Sequence, residues 1–399
     1  MWFDVGGLGR PGTEDSSVTT RAWTIESGTA LDVALEVLLR GPLSRAELAR
    51  RLDLSQATLS RLTKPLVEQG LLIEGAARQD SAAGRPGQPL DVDASSHTFG
   101  GVTLTGEAAH IVLVDLRGTV LATQHVPLPS HHSAAVVEQV ADTLDAIVRD
   151  HSDASRLAGI GVGLGGHAPD RSTVRVAPFL GWQDVPFGSM LAQATGLPCV
   201  VENDVAALTA AEHWFGGGRD VQRFALLTVG AGVGYGLVVD NRVVTHEDMG
   251  LGLVGHFPLD PNGPLCPEGH RGCARSMLTI ESLTRQASLA HGRSINYDEL
   301  MGLAVSGDPA ARRLVDDAAT GLGHLVAAVA NLTMPERIVL SGEGVALATV
   351  GAEALHTAIA ADRDPRASTL DIVVRPGDFS QWARGAAVVA IQDFVLRSR

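Results

Sequence analysis

The chain has 399 residues, 45% of them apolar, 45 glycines and a formal net charge of −14 at pH 7. That length accommodates two or three domains, and that acidity excludes indiscriminate nucleic-acid binding by the whole molecule while leaving room for one basic module. The cysteines, Cys199, Cys266 and Cys273, do not form a secreted disulfide framework, and no segment is apolar enough to span a bilayer. A cytoplasmic chain with no membrane partner is expected.

The opening "MWFDVGGLGRPGTEDSSVTTR" lacks the basic start and apolar run of a signal peptide and reads as a flexible tail over 1–23. Between 38 and 90 the charge changes sign. Arg40, Arg45, Arg50, Arg51, Arg61, Lys64, Arg78 and Arg85 outnumber Glu47, Asp53, Glu68, Glu74 and Asp80, which points to an anionic partner for this segment. "TALDVALEVLLRG" predicts a helix stopped by Gly41. "SRAELARRL" carries Ser44 and Glu47 at capping-box spacing. "DLSQATLSRLTKPLVEQG" predicts a third helix with Ser55 as N-cap, Leu59, Leu62 and Leu66 inward and Gly70 as stop. Pro65 is expected to kink or end it. "LLIEG" and "GRPGQPLDV" then suggest a hairpin. Three helices and a hairpin make a winged helix-turn-helix, placed at 24–92.

Such a motif puts the N-terminal part of its recognition helix into the major groove of double-stranded DNA. The outward residues are Ser55, Gln56, Ala57, Thr58, Ser60, Arg61 and Lys64. Gln56 suits adenine edges, and Ala57 or Thr58 a thymine methyl. Ser55, Thr58, Arg61 and Lys64 suit phosphates, which position without specifying. Arg85, between Gly84 and Pro86, would sit in the wing and reach a minor groove.

From about 98 the texture becomes strands and glycine-rich turns. "HTFGGVTLTGEAAHIVLVDLRGTVLATQHV" reads as a strand meander, and "FALLTVGAGVGYGLVVDNRVV" repeats its form. Two such meanders, each followed by strand and helix, predict a duplicated two-lobed α/β body over 93–399, with lobes at roughly 98–215 plus the C-terminal helix and 216–380. Ligands favour the cleft between such lobes. "VENDVAALTAAEHWFG" sets a polar pair, Asn203 and Asp204, at the end of a strand that opens a helix. The pair is either a ligand site or a helix cap.

The stretches "VAPFLGWQDVP", "GLPCVVENDVAALTAAEHWFG", "LTVGAGVGYGLVVDN", "GLGLVGH", "CPEGHRGC" and "IVLSGEGV" fall in an order that resembles the ROK family of repressors and sugar kinases over about 98–399. The resemblance implies an actin-like, sugar-kinase-like two-lobed body, a homodimer or homotetramer, and sugar-binding roles at Asn203 and Asp204, the latter matching the kinases' base. Where those kinases carry Asp-x-Gly-Gly-Thr, this chain has Thr103-Leu104-Thr105-Gly106-Glu107. Glu107 would oppose phosphate, so a sensor is expected rather than an enzyme. Polar sugar positions of the family are Phe179, Leu253 and Arg275 here. The ligand-site candidates are Gly166, Asn203, Asp204, His256 and Arg275, with Arg275 suggesting a phosphosugar in place of a sugar. The family also implies structural zinc on a His and three Cys. Here His256, Cys266 and Cys273 remain, and the fourth ligand would be Glu268 or His270. The expectation is therefore a repressor that binds a DNA operator under control of a sugar or phosphosugar. A sugar kinase with a regulatory DNA-binding domain and a ligand-independent DNA-binding regulator are the alternatives.

Overall fold

The computed structural model describes residues 25, 28–75, 88–151, 157–375 and 377–396. The flexible tail expected over 1–23 and the wing residue Arg85 lie outside the described residues.

The N-terminal helices are α1 (Thr29–Arg40), α2 (Arg45–Arg51) and α3 (Gln56–Glu68). Each begins or ends where the sequence supplies a polar partner. Gly41 closes α1 with its N–H on Val37 O. Ser44 Oγ accepts from Glu47 N, and Ser55 Oγ accepts from Thr58 N. Only half of the capping box forms, because the Glu47 carboxylate pairs with Arg51 one turn on. The expectation that Pro65 ends α3 is corrected: the helix runs on to Glu68. Pro65 is exposed and lies in the last turn, so its missing N–H costs one terminal bond, while its own carbonyl still accepts from Gln69 N. Strands β1 (Ile73–Glu74) and β2 (Leu90–Asp91) pair antiparallel, and Leu43 bridges to Leu90, which ties the hairpin to the turn after α1.

The first sheet of the body comprises β3 (Thr98–Leu104), β4 (Ala108–Asp115), β5 (Val120–Pro127), β6 (Leu157–Leu164) and, after a small hairpin of β7 (Val174–Ala177) and β8 (Trp182–Val185), β9 (Cys199–Asn203). Its helices are α4 (Ser133–Asp150), α5 (Phe187–Thr195) and α6 (Asp204–Phe215). The second sheet holds β10 (Phe224–Val229), β11 (Val233–Val239), β12 (Arg242–Val243), β13 (Arg337–Ser341) and β14 (Asp371–Val374). Around it lie α7 (Ala274–Leu278), α8 (Ile280–His291), α9 (Tyr297–Val305), α10 (Pro309–Thr333), α11 (Ala346–Val350) and α12 (Ala352–Ala361), and α13 (Phe379–Leu396) closes the described chain.

The strand orders are β5-β4-β3-β6-β9 and β12-β11-β10-β13-β14. In both sheets an antiparallel meander is extended by two parallel strands, so the two halves share one topology. α13 crosses the first sheet over β3 and β6. Its close approach depends on glycine: a Cβ at Gly101 would stand 2.0 Å from Ala383 O, and one at Gly161 1.8 Å from Ala386 O.

The helix-turn-helix and the body share one hydrophobic core. Leu31, Val37, Leu38, Leu48 and Leu59 cluster with Leu116, Trp214, Val388, Ile391 and Val395. Polar contacts follow the same seam. Arg117, in the β4–β5 turn, donates to Val37 O at 3.1 Å and Leu38 O at 3.2 Å and pairs with Asp91. It thereby gives Leu38 O a partner that the end of α1 does not supply and adds a second donor to Val37 O, which Gly41 already caps. Arg40 pairs with Asp220 at 2.9 Å and donates to Arg219 O. Among the described residues no helix is long and apolar enough to cross a membrane.

Candidate functional site

Three groups of side chains carry chemistry. The first is the outer face of α3. Ser55, Gln56, Ala57, Ser60, Arg61 and Lys64 are exposed and Thr58 is partly so. The Ser55 and Thr58 hydroxyls are 2.9 Å apart and engaged with each other and with the helix end, so fixing the helix start is their first role. Other basic residues hold the domain together: Arg45 pairs with Glu74, and Arg51 with Glu36 and Glu47. Lys64 is loosely paired with Glu68 at 3.9 Å. Among the described residues Arg61 makes no ion pair, which leaves its guanidinium available at the surface.

The second group floors the cleft. β9 delivers Asn203, whose Oδ1 accepts from Val205 N and Ala206 N. The helix-cap reading of Asn203 is thus met in full. Its Nδ2 donates to Gly166 O at 3.1 Å and to Asp204 Oδ1 at 3.2 Å, which joins Gly166, Asn203 and Asp204 into one unit. Asp204 Oδ1 also accepts Val205 N at 2.8 Å. Around its other oxygen, a Cβ added at Gly165 would meet the Phe179 ring at 3.2 Å and Asp204 Oδ2 at 3.5 Å. The aromatic ring and the carboxylate therefore border the same point. Phe179 is 57% exposed and Leu253 66%, exposed apolar side chains at positions where the family resemblance implies polar groups in other members. Opposite, a Cβ at Gly250 would lie 2.3 Å from Gly166 O, and His167 Nδ1 is 2.8 Å from Met249 O, so segments after each sheet's strands meet here.

Burial is the main cause that pushes Asp204 up to about 6; the Val205 N–H opposes it and the charge of Glu343 adds to it. An unfolded aspartate titrates near ~3.9, so the fold favours the protonated acid. Its stabilising contribution is complete below about pH 4 and is lost as pH rises through 6. Asp204→Asn is expected to raise the stability at pH 8 by about 2 kcal/mol, after allowance for screening at the open edge of the cleft, and to change little at pH 4. Thermal melts of both proteins at the two pH values check this; equal gains at both would show that Asp204 is charged throughout.

The third group is the loop after β12. A 3-10 turn, Leu253–His256, brings His256 to Cys266 and Cys273, and the three ligand atoms lie within 4.8 Å of one another. His256 Nδ1 is 3.9 Å from Cys266 Sγ and 4.0 Å from Cys273 Sγ. His270 Nδ1 is 3.1 Å from His256 Nδ1 and 3.5 Å from Cys266 Sγ. Tetrahedral zinc with N and S ligands has edges of roughly 3.3–3.8 Å, so His256, Cys266 and Cys273 are close enough together to hold such an ion after small adjustments, with His270 beside two of them. Glu268 stands beside Cys266 and also forms a 2.5 Å pair with Arg275. Gly272 (φ 54°) lets the loop fold on itself, since a Cβ there would stand 1.6 Å from Asp260 O. Cys199 takes no part; burial pushes its thiol up to about 12.

One carboxylate escaped the sequence reading. Glu107 is exposed, and its N–H bonds Thr105 Oγ1. The acid that does enter a glycine turn is Glu343, whose Oε1 accepts Ala231 N at 2.7 Å. The acid between two glycines in "SGEGV" was the available signal, but its partner lies 112 residues away.

The ROK family matches residues 99–393. The chain belongs to the ROK family. The MarR family matches residues 27–83, so the ROK body follows a MarR-type helix-turn-helix. The transcriptional regulator Mb0495 of Mycobacterium bovis is 31% identical over 337 residues, covering 80% of this chain and 75% of its own. The DNA-binding transcriptional repressor Mlc of Escherichia coli K12 is 25% identical over 314 residues, 75% of this chain and 77% of its own. Among solved structures, a ROK family transcriptional regulator homologous to E. coli MLC superposes with a TM-score of 0.78 at 25% identity, over 92% of this chain and 97% of that one. The ROK hexokinase of Thermus thermophilus gives 0.61 at 28% identity, over 74% and 99%. The hexokinase is thus matched almost whole by only part of this chain, whereas the regulator is matched along nearly all of both.

Proposed function

We propose that this ROK protein is a cytoplasmic transcriptional repressor that binds a double-stranded DNA operator through α3 and answers to a sugar in the cleft. The observation that carries the reading is the MarR-type helix-turn-helix, with Arg61 unpaired on its outer face, sharing one core with the ROK body. Gln56, Ala57 and Thr58 would face base edges, and Ser60, Arg61 and Lys64 the backbone. Ser55 would serve chiefly as the cap. Two copies in a homodimer, or four in a homotetramer, would present paired recognition helices to a palindromic site.

The effector would rest on Asp204 and Gly166, with its apolar face on Phe179, near the loop that carries His256. Arg275 is already compensated by Glu268, which favours a neutral sugar over a phosphosugar. Zinc, held by His256, Cys266, Cys273 and His270, would be structural and fix that loop. α6 supplies a route between the sites: its first turn carries Asp204, and its last carries Trp214 in the shared core. A ligand that prefers one arrangement of α6 shifts the population toward it.

An operator recovered from the chain's own promoter region, titrated by fluorescence anisotropy, tests the DNA reading. Arg61→Ala is expected to weaken operator binding by about 1–3 kcal/mol and to lower the salt slope by about one; unchanged binding would show that α3 is not the recognition helix. A thermal-shift screen of neutral and phosphorylated sugars, followed by operator titration with each hit, tests the effector. The likeness to a ROK hexokinase favours a second reading, a sugar kinase with a regulatory DNA-binding domain. That reading predicts ATP-dependent consumption of a hexose by the purified chain. If DNA binding persists and no sugar changes it, the chain is a ligand-independent regulator.

A further inference from the structure

We infer that Glu343 is an internal plug of the glycine turn Gly230-Ala231-Gly232 and keeps nucleotide phosphates out of the cleft. The turn joins β10 to β11 and presents the Ala231 N–H outward, and glycine turns with exposed N–H groups can form concavities that cradle phosphate. This turn already holds an anion. Glu343 Oε1 accepts the Ala231 N–H at 2.7 Å, a charge-assisted bond. The approach is so close that a Cβ at Gly230 would lie 2.1 Å from the same oxygen, so glycine at 230 admits the carboxylate.

Both sides of the contact are braced. Gly230 N bonds Gly232 O at 2.9 Å, and Gly230 O accepts Ile280 N at 3.0 Å. Across from them Gly344 N bonds Val229 O at 2.8 Å. The Tyr297 hydroxyl donates to Gly344 O at 2.5 Å and accepts Leu347 N at 3.1 Å. The carboxylate is thereby preorganised on the turn, and a phosphate would have to displace it and then tolerate its charge. Glu343 thus joins Glu107 as an acid placed against a glycine-rich turn, and it is the one that engages the turn's N–H. The inference deepens the reading of the cleft as a sensor, because a body with a filled phosphate turn can recognise a sugar without also recognising ATP.

Isothermal titration calorimetry of the full chain with AMP-PNP, with and without magnesium, tests it. Wild type is expected to give no saturable heat. Glu343→Ala is expected to bind at least roughly tenfold more tightly than the wild-type limit, the factor that about 1.4 kcal/mol represents. Glu343→Gln, which keeps the bulk and an oxygen for Ala231 but drops the charge, is expected to fall between them. Melting curves show whether each variant is folded, and if Glu343→Ala is not, the Gln variant carries the comparison. Folded variants that stay silent would overturn the plug. So would wild type binding as tightly as the variants, or magnesium-dependent binding in wild type that the variants lose, which would make Glu343 a metal ligand. Operator binding by wild type is measured separately, so failure of the DNA reading leaves this outcome standing.

Discussion

Trp214→Ala is expected to destabilise the chain by about 3–5 kcal/mol, the cost of emptying a large aromatic site in a core, and to split its thermal unfolding into two transitions. Trp214 is 6% exposed at the end of α6 and meets Phe215 edge-on, with ring centroids 5.8 Å apart. It belongs to the cluster that joins Leu31, Val37 and Leu38 of α1 to Val388 and Ile391 of α13. Removing the indole takes the largest aromatic side chain out of that seam and leaves Leu116, Val388, Ile391 and Val395 as its apolar part, while the exposed or half-exposed ion pair of Arg40 contributes little on its own. Differential scanning calorimetry reads both effects. A single, scarcely shifted transition would show that Trp214 is not what couples the two parts at this seam. Arg117 lies under the same seam, so its effects should not add simply to those of Trp214.

Cys273→Ser is expected to weaken zinc binding more than a hundredfold and lower the melting temperature by several degrees. Structural zinc in four-ligand sites is worth roughly 10–16 kcal/mol, so one ligand in four stands for about 3 kcal/mol, or more than a hundredfold in affinity. Elemental analysis of protein purified without chelator should find about one zinc per chain in wild type. His270→Ala should weaken the site, whereas Glu268→Gln should retain the metal and free Arg275. The opposite pattern would make Glu268 the fourth ligand, and zinc-free wild type would remove the ion altogether. Loss of zinc should also weaken sugar binding, since His256 sits on the loop that the ion would fix.

What the sequence made legible was local. Ser44 and Ser55 announced helix starts because a cap needs only a hydroxyl and an N–H three residues on. The two meanders were visible because strand periodicity and turn residues repeat along the chain, and both sheets carry them. The Asn203-Asp204 pair was visible as a helix start, and Asn203 caps α6, an arrangement that leaves room for the ligand role proposed for Asp204. Features set by distant residues were not legible. Glu343 needed Ala231, and Arg117 needed Val37 and Leu38. Pro65 was misjudged for another reason: a rule for helix interiors was applied within one turn of a helix end, where little bonding remains to be lost.

The dependence of the N-terminal domain on α13 has a consequence for biosynthesis. Val388, Ile391 and Val395 cover apolar side chains of residues 31–59, so several hundred residues must be translated before the first-made domain can bury its surface. A nascent chain therefore emerges with its DNA reader unfinished, and a premature stop before residue 379 would leave an adhesive fragment rather than an unregulated repressor. Control over DNA binding is in this sense written into the order of synthesis, with α13 acting as a late checkpoint.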